Sequence, residues 1–142
     1  MSYSLAFSQA IVTVLFVADK VEQGHFDFVP TKELAGALNI AWPTAVKLLG
    51  NLARSGIIET REGARGGVRL AVAPDTVTLL DVFHAIESGK LLFRHDLDLR
   101  VTGTKPSRAQ AAMLTILNDA EAAMKQRLAQ TTIADLLAEI NA

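Results

Sequence analysis

The chain has 142 residues, half of them hydrophobic and a fifth charged, with a formal net charge of −1 and no cysteine. That length favours one domain with an ordered core, and the missing cysteines exclude disulfides, thiolate metal sites, iron–sulfur clusters and thiol nucleophiles together. The near-neutral balance excludes a uniformly basic surface, but not a positive patch segregated from acidic regions.

The first and most apolar run is LAFSQAIVTVLFVA, residues 5–18, interrupted by Ser8, Gln9 and Thr13. It falls short of the roughly 20 residues that span a bilayer, and no positive stretch precedes it as in a signal peptide. The expectation is a cytoplasmic protein with no membrane partner. Residues 5–22 read as a helix apolar on nearly every face, and so buried all round, against its own domain and a further surface.

Next, PTKELAGALNI (30–40) predicts a short helix. Thr31 is the expected N-cap, Glu33 sits in the first turn, and Asn39 takes the left-handed conformation that ends it. AWPTAVKLLGNLARSGII (41–58) predicts another. Pro43 suits the first turn, and Ala45, Leu48, Leu49 and Leu52 follow the i, i+3, i+4, i+7 spacing of one buried face. Thr44, Lys47, Asn51 and Arg54 then point elsewhere, and Gly56 is the stop. Two short helices joined by a tight turn form a helix-turn-helix pattern.

Directly after it comes REGARGGVRL (61–70), three glycines and three arginines in ten residues. Its flanks, GIIET and VRLAV, read as short strands, so the stretch is a hairpin bearing guanidinium groups. Taken alone it fits a solvated surface hairpin, an anion-binding loop or a wing that touches nucleic acid. Between residues 42 and 70 stand five cations (Lys47, Arg54, Arg61, Arg65, Arg69) against two carboxylates, Glu59 and Glu62.

VTLLDVFHAIE (77–87) predicts a helix with Thr78 and Asp81 at capping-box spacing. Residues 91–105 show no period and read as a loop. Residues 107–129 predict a long helix with Ala109, Met113, Ile116, Ala120 and Ala123 along one stripe and a Glu121–Lys125 pair. TIADLLAEI (132–140) closes the chain as a capped helix. The expected organisation is a winged-helix region over 1–89, a linker over 90–105, and a dimerisation helix with a C-terminal helix over 106–142. The fold class is mainly α with a small β wing.

The order of these motifs resembles the Rrf2 family of bacterial transcription regulators. The resemblance rests on Glu33-Leu34-Ala35, the proline-led helix ending at Leu52 and Gly56, the glycines Gly63, Gly66 and Gly67 with Leu70, and Leu79 to Glu87. It implies a winged helix-turn-helix fold and a homodimer, held by the long helix, on dyad-symmetric double-stranded DNA. Many members bind an iron–sulfur cluster through three cysteines in the stretch matching residues 91–105. This chain has none there, and Val68 stands where an aromatic is more common.

With the helix-turn-helix beside it, the hairpin reads as a wing. Its Arg61, Arg65 and Arg69 can meet phosphates through bidentate guanidinium forks, Arg65 at the tip foremost; Arg69 has Glu59 across the hairpin as an alternative partner. Trp42, Pro43, Thr44, Lys47 and Asn51 are the DNA-binding candidates on the second helix, because the N-terminal end of a recognition helix enters the groove. Trp42 has a second reading, tucked against Phe28. His25, His84 and His95 share no ligand spacing, and no nucleotide-binding or catalytic pattern is present, so the expectation is a non-enzyme with no cofactor, no metal site and no catalytic residue. The expected function is a repressor acting as a homodimer, shifted between states by an unknown small-molecule effector near residues 91–105 or by a protein partner. The alternative is a winged-helix protein–protein interaction module in which Trp42 and the wing bind another protein.

Overall fold

The computed structural model describes residues 5–142; residues 1–4, expected with the winged-helix region, lie outside the described residues. The chain runs α1 (Ala6–Glu22), α2 (Thr31–Leu38), α3 (Trp42–Arg54), β1 (Ile58–Arg61), β2 (Gly67–Leu70), a short 3-10 turn (Pro74–Thr76), α4 (Leu79–Glu87), α5 (Thr104–Ala129) and α6 (Ile133–Ile140). No helix among the described residues is long and apolar enough to cross a membrane.

Helix α1 is the hub of the core and packs against α2, α3, α4, β2 and α6. Ala10, Val14 and Val17 on its inner face are fully buried, and the Phe7 ring meets Phe83 of α4 edge-on at 5.3 Å. Within one chain the described part of the molecule buries only one side of α1, leaving the outer side for the further surface its composition had implied. Ser8 and Val12 face outward, and Val12 is 44% exposed. The described residues supply packing partners for the inner side only.

The helix-turn-helix forms as its stripes dictate. Leu34 of α2 and Leu52 of α3 are fully buried, each worth about 2 kcal/mol in apolar surface removed from water. Asn39 closes α2 at φ 52°, ψ 48°, a conformation Asn tolerates better than most residues. The helix starts differently from expectation: Pro30 holds the N-cap position and Thr31 is the first helical residue, with no side-chain cap. Upstream, Val29 is paired to the sheet, its N–H donating to Val68 O at 2.7 Å and its carbonyl accepting from Val68 N at 2.9 Å. That pairing draws the chain straight from extended backbone into the helix.

The wing is a two-stranded antiparallel hairpin with Glu59 opposite Arg69 and Thr60 opposite Val68. Val68 lies in the core at 2% exposure. The paired glycines have separate reasons to be there. A Cβ on Gly66 would stand 2.3 Å from the Arg61 carbonyl oxygen; one on Gly67, whose φ is +148°, would stand 2.2 Å from that of Val29. Both distances are well inside van der Waals contact with backbone that cannot swing away.

Capping boxes open α4 at Thr78/Asp81 and α6 at Thr132/Asp135, as the spacing predicted. The two starts are clipped together: Leu79 N donates to Thr131 O at 2.9 Å and Ile133 N to Val77 O at 2.8 Å. Helix α6 therefore returns to the winged-helix body, where Ile133 and Leu137 join the core.

Helix α5 begins at Thr104, two residues inside the expected loop, with Pro106 in its first turn. Proline is tolerated there because the first N–H groups of a helix have no intrahelical partner. None of the 26 residues of α5 is buried, and its main packing partner is α4. Residues 91–103 form neither helix nor strand, and the Leu92 N–H donates to the Glu121 carboxylate of α5.

Candidate nucleic-acid interface

A helix advances about 100° per residue, so the buried face of α3 fixes what its other faces offer. With Ala45, Leu48, Leu49 and Leu52 inward, the opposite face carries Pro43, Lys47, Gly50 and Arg54. Trp42 and Val46 flank it on the wing side. Trp42 is 55% and Val46 49% exposed, large apolar surfaces on a side that no described residue covers. Lys47 is exposed and has no side-chain partner among the described residues. Thr44 and Asn51 are only partly exposed, and the Asn51 amide oxygen accepts a hydrogen bond from Arg54.

Helix α3 and the wing form the two walls of one cleft of about 450 Å³, with Trp42, Val46, Gly50 and Arg54 on one side and Arg61 and Glu62 on the other. Gly50 matters to its width. A Cβ there would come within 3.3 Å of the Arg54 guanidinium, which lies across the bare backbone.

The three wing arginines are in different situations. Arg61 donates to the Arg65 carbonyl at 2.7 and 3.2 Å, pairs with Asp27 at 3.3 Å, and lies 4.1 Å from the Phe28 ring centroid. Arg69 pairs with Glu59 at 2.6 Å and Asp27 at 3.2 Å and covers Phe28 at 4.3 Å. The Glu59 hydrogen bond, chiefly, pushes the Arg69 pKa above its ordinary value. Arg69 also lines a second cleft, beside α1 and α6, rather than the one containing Trp42. Arg65 is exposed, and its guanidinium has no partner among the described residues. Phe28 is thus roofed by two guanidinium groups, and Trp42 stays open instead of tucking onto it.

Asp27 holds two arginines at once, which leads to a prediction. Asp27→Asn should leave thermal stability nearly unchanged, because exposed ion pairs contribute about 1 kcal/mol or less. It should raise affinity for duplexes of any sequence about two- to fivefold at low salt, since a carboxylate beside the wing opposes a polyanion. Fluorescence anisotropy with a random duplex measures this; weaker binding by the variant would show that Asp27 orients the arginines instead of restraining them.

The same arrangement of elements recurs in known proteins. The sequence profile of the Rrf2 family, described as an iron-dependent transcriptional regulator, matches residues 3–139. The chain belongs to the Rrf2 family. An HTH-type transcriptional regulator NsrR from Halalkalibacterium halodurans is 31% identical over 109 residues, covering 75% of this chain and 71% of that protein. A putative HTH-type transcriptional regulator, slr0846 from Synechocystis, is 36% identical over 75 residues, 53% of this chain; the chain spans about half (51%) of that relative's length. Among solved structures, T. potens IscR superposes with a TM-score of 0.73 at 18% identity, covering 99% of this chain and 88% of that one. A putative transcriptional regulator from Lactobacillus plantarum superposes with a TM-score of 0.77 at 21% identity, covering 96% and 90%. At such identities these structures support the winged-helix fold.

The Rrf2 description names iron, and the donor set of this chain can be compared with that. It has no cysteine. Residues 91–103 offer His95, Asp96 and Asp98, of which Asp96 is paired with Arg94. Among the described residues no group of three or more His, Cys, Asp or Glu is placed to hold a metal ion. These side chains do not fit a thiolate-bound cluster.

The structure also brings forward residues of this Rrf2 protein that sequence reasoning missed. Val46 and Gly50 lie four and eight residues after Trp42, one and two turns along the same side of α3. The apolar stripe itself pointed to them, because it leaves Val46 beside it and Gly50 on the outer face. Asp27 and Phe28 had no such signal: their role depends on a contact with the wing more than 30 residues away in sequence.

Proposed function

We propose that this Rrf2 protein binds double-stranded DNA sequence-specifically as a homodimer and regulates transcription as a repressor, by occupying a dyad-symmetric operator. The observation that carries the reading is the cleft shared by α3 and the wing, with Lys47 on the outer face of α3 and Arg65 at the wing tip, both without side-chain partners among the described residues. The N-terminal part of α3 would enter a major groove. There Trp42, Pro43, Val46 and Thr44 meet base edges or thymine methyl groups, Lys47 and Arg54 face phosphate or guanine, and Asn51 contributes through Arg54. Arg65 contacts the backbone beside that groove. Arg61 and Arg69 are held by Asp27, Glu59 and Phe28, and their main part is to fix the shape of the wing. Phosphate contacts of this kind position the protein, while the α3 edge reads sequence.

Two observations support the homodimer. Val12 on α1 is exposed, and no residue of α5 is buried in the single chain. The proposed action is binding, with no catalytic step, in the cytoplasm where the DNA lies. The second reading, a protein-interaction module, draws on one specific observation: the exposed pair of Trp42 and Val46 would also suit an apolar partner surface.

Selection of binding sites from a random duplex pool tests the proposal. It should enrich dyad-symmetric sequences with half-sites about 34 Å apart, or a multiple of that spacing. A pool that stays random after repeated rounds would contradict sequence-specific binding and favour the module.

A further inference from the structure

A larger cleft, of about 620 Å³, lies away from the α3 face, between the end of α1, strand β2, the 3-10 turn and α6. Its size falls in the range of small-molecule sites. The walls are apolar: Val21 from α1, Leu70 from β2, Val72 just beyond it, and Leu137 from α6. Val72 is 43% exposed, so the described residues leave this apolar surface uncovered.

The rim decides what could enter. It carries one cation, Arg69, and two carboxylates, Glu22 and Asp75. Arg69 is already committed to Glu59 and Asp27 and lies against Phe28. Neither Glu22 nor Asp75 has a hydrogen-bond or ion-pair partner among the described residues. Apolar walls beneath an uncompensated negative rim favour an organic cation over an organic anion. We infer that this cleft binds a small amphipathic amine, its hydrocarbon body between β2 and α6 and its ammonium group at Glu22 and Asp75.

Occupancy has a route to the DNA face. Leu70 belongs to the wing strand whose neighbour Arg69 is held by Asp27, and Asp27 also holds Arg61. Leu137 belongs to the helix that follows α5. A ligand between them fixes the wing against the C-terminal helix, and its effect on DNA affinity rests on the regulator reading above. The site differs from the sequence-based expectation of an effector near residues 91–105.

The test uses the whole chain without DNA and three probes of one shape: tryptamine, tryptophol and indoleacetate. Titration followed by amide chemical shifts should show tryptamine binding about fivefold tighter than tryptophol and tighter still than indoleacetate, as two exposed ion pairs would give. Shifts should centre on Val72 and Leu137. Glu22→Gln with Asp75→Asn should remove the amine preference while leaving tryptophol affinity unchanged. Ala138→Trp, at an exposed position on the cleft wall, should weaken all three. Equal affinity for the three probes, or shifts centred elsewhere, would overturn the proposal. A second arm measures duplex affinity with and without saturating tryptamine. Amine binding that leaves duplex affinity unchanged would overturn the regulatory role alone. A chain that binds no duplex would instead defeat the regulator reading, with the amine titration standing on its own.

Discussion

Ile116→Glu should convert the proposed homodimer to monomers and lower its affinity for a full operator by about a hundredfold or more, because the second half-site contact is then no longer intramolecular. Ile116 lies on α5 at 66% exposure, so in one chain it packs on almost nothing. A glutamate there is tolerated by the monomer, whose melting should be unchanged, but it would place a charge in the proposed apolar interface, where an unpaired carboxylate is costly. Ala109, Ala112, Ala120 and Ala123 share that side of α5 and are exposed; such small side chains let a second helix approach closely. Leu114, Leu117 and Leu128, turned toward the chain's own body, are half-buried. Sedimentation equilibrium reads the result directly. A variant that remains dimeric would place the interface elsewhere, with the outer stripe of α1 as the next surface to examine.

Gly67→Ala should destabilise the fold by about 2–4 kcal/mol and remove DNA binding at physiological temperature. The new methyl group would stand 2.2 Å from the Val29 carbonyl oxygen at a φ of +148°. Relief requires breaking the Val29–Val68 pairing, which joins the wing to the entry of α2. Gly63, at φ +100° in the hairpin turn, meets nothing within 4 Å, so Gly63→Ala carries backbone strain without a clash and should cost less, about 1 kcal/mol. Chemical denaturation of both variants orders the two effects. Equal stabilities would show that the close approach at Gly67 relaxes without loss.

The helix boundaries set by local chemistry were legible in the sequence. Asn39 ends α2, the Thr78/Asp81 and Thr132/Asp135 boxes open α4 and α6, and the stripe at Ala45, Leu48, Leu49 and Leu52 faces the core. Each depends on neighbours within one or two turns. The sequence was less informative where a distant contact decides. Thr31 lost its capping role because Val29 pairs with Val68, and Pro106 did not delay α5 because its missing N–H falls in the first turn. The return of α6 to the body rests on bonds between residues 77–79 and 131–133, which no local pattern encodes.

For the candidate interface, spacing alone separated the core side of α3 from its outer side and marked Arg65 and Lys47. It also set Arg65 at the tip apart and gave Arg69 the Glu59 partner it has, but it did not foresee the restraint on Arg61. Arg61 and Arg69 differ from Arg65 through Asp27 and Phe28, which lie before α2 in sequence and beside the wing in space. The surplus of cations over carboxylates between residues 42 and 70 is therefore smaller in effect than the sequence implies: among the described residues, Lys47, Arg54 and Arg65 are its cations without a carboxylate partner, and Arg54 is held to the Asn51 amide oxygen.

The salt dependence of operator binding, compared between the native protein and the Lys47→Ala/Arg65→Ala variant, tests this account most directly. If each dimer places these two cations of both subunits on phosphates, the slope of log affinity against log salt should become shallower by about 3–4 in the variant. An unchanged slope would contradict the account, because it would mean that neither the outer edge of α3 nor the tip of the wing meets the DNA backbone.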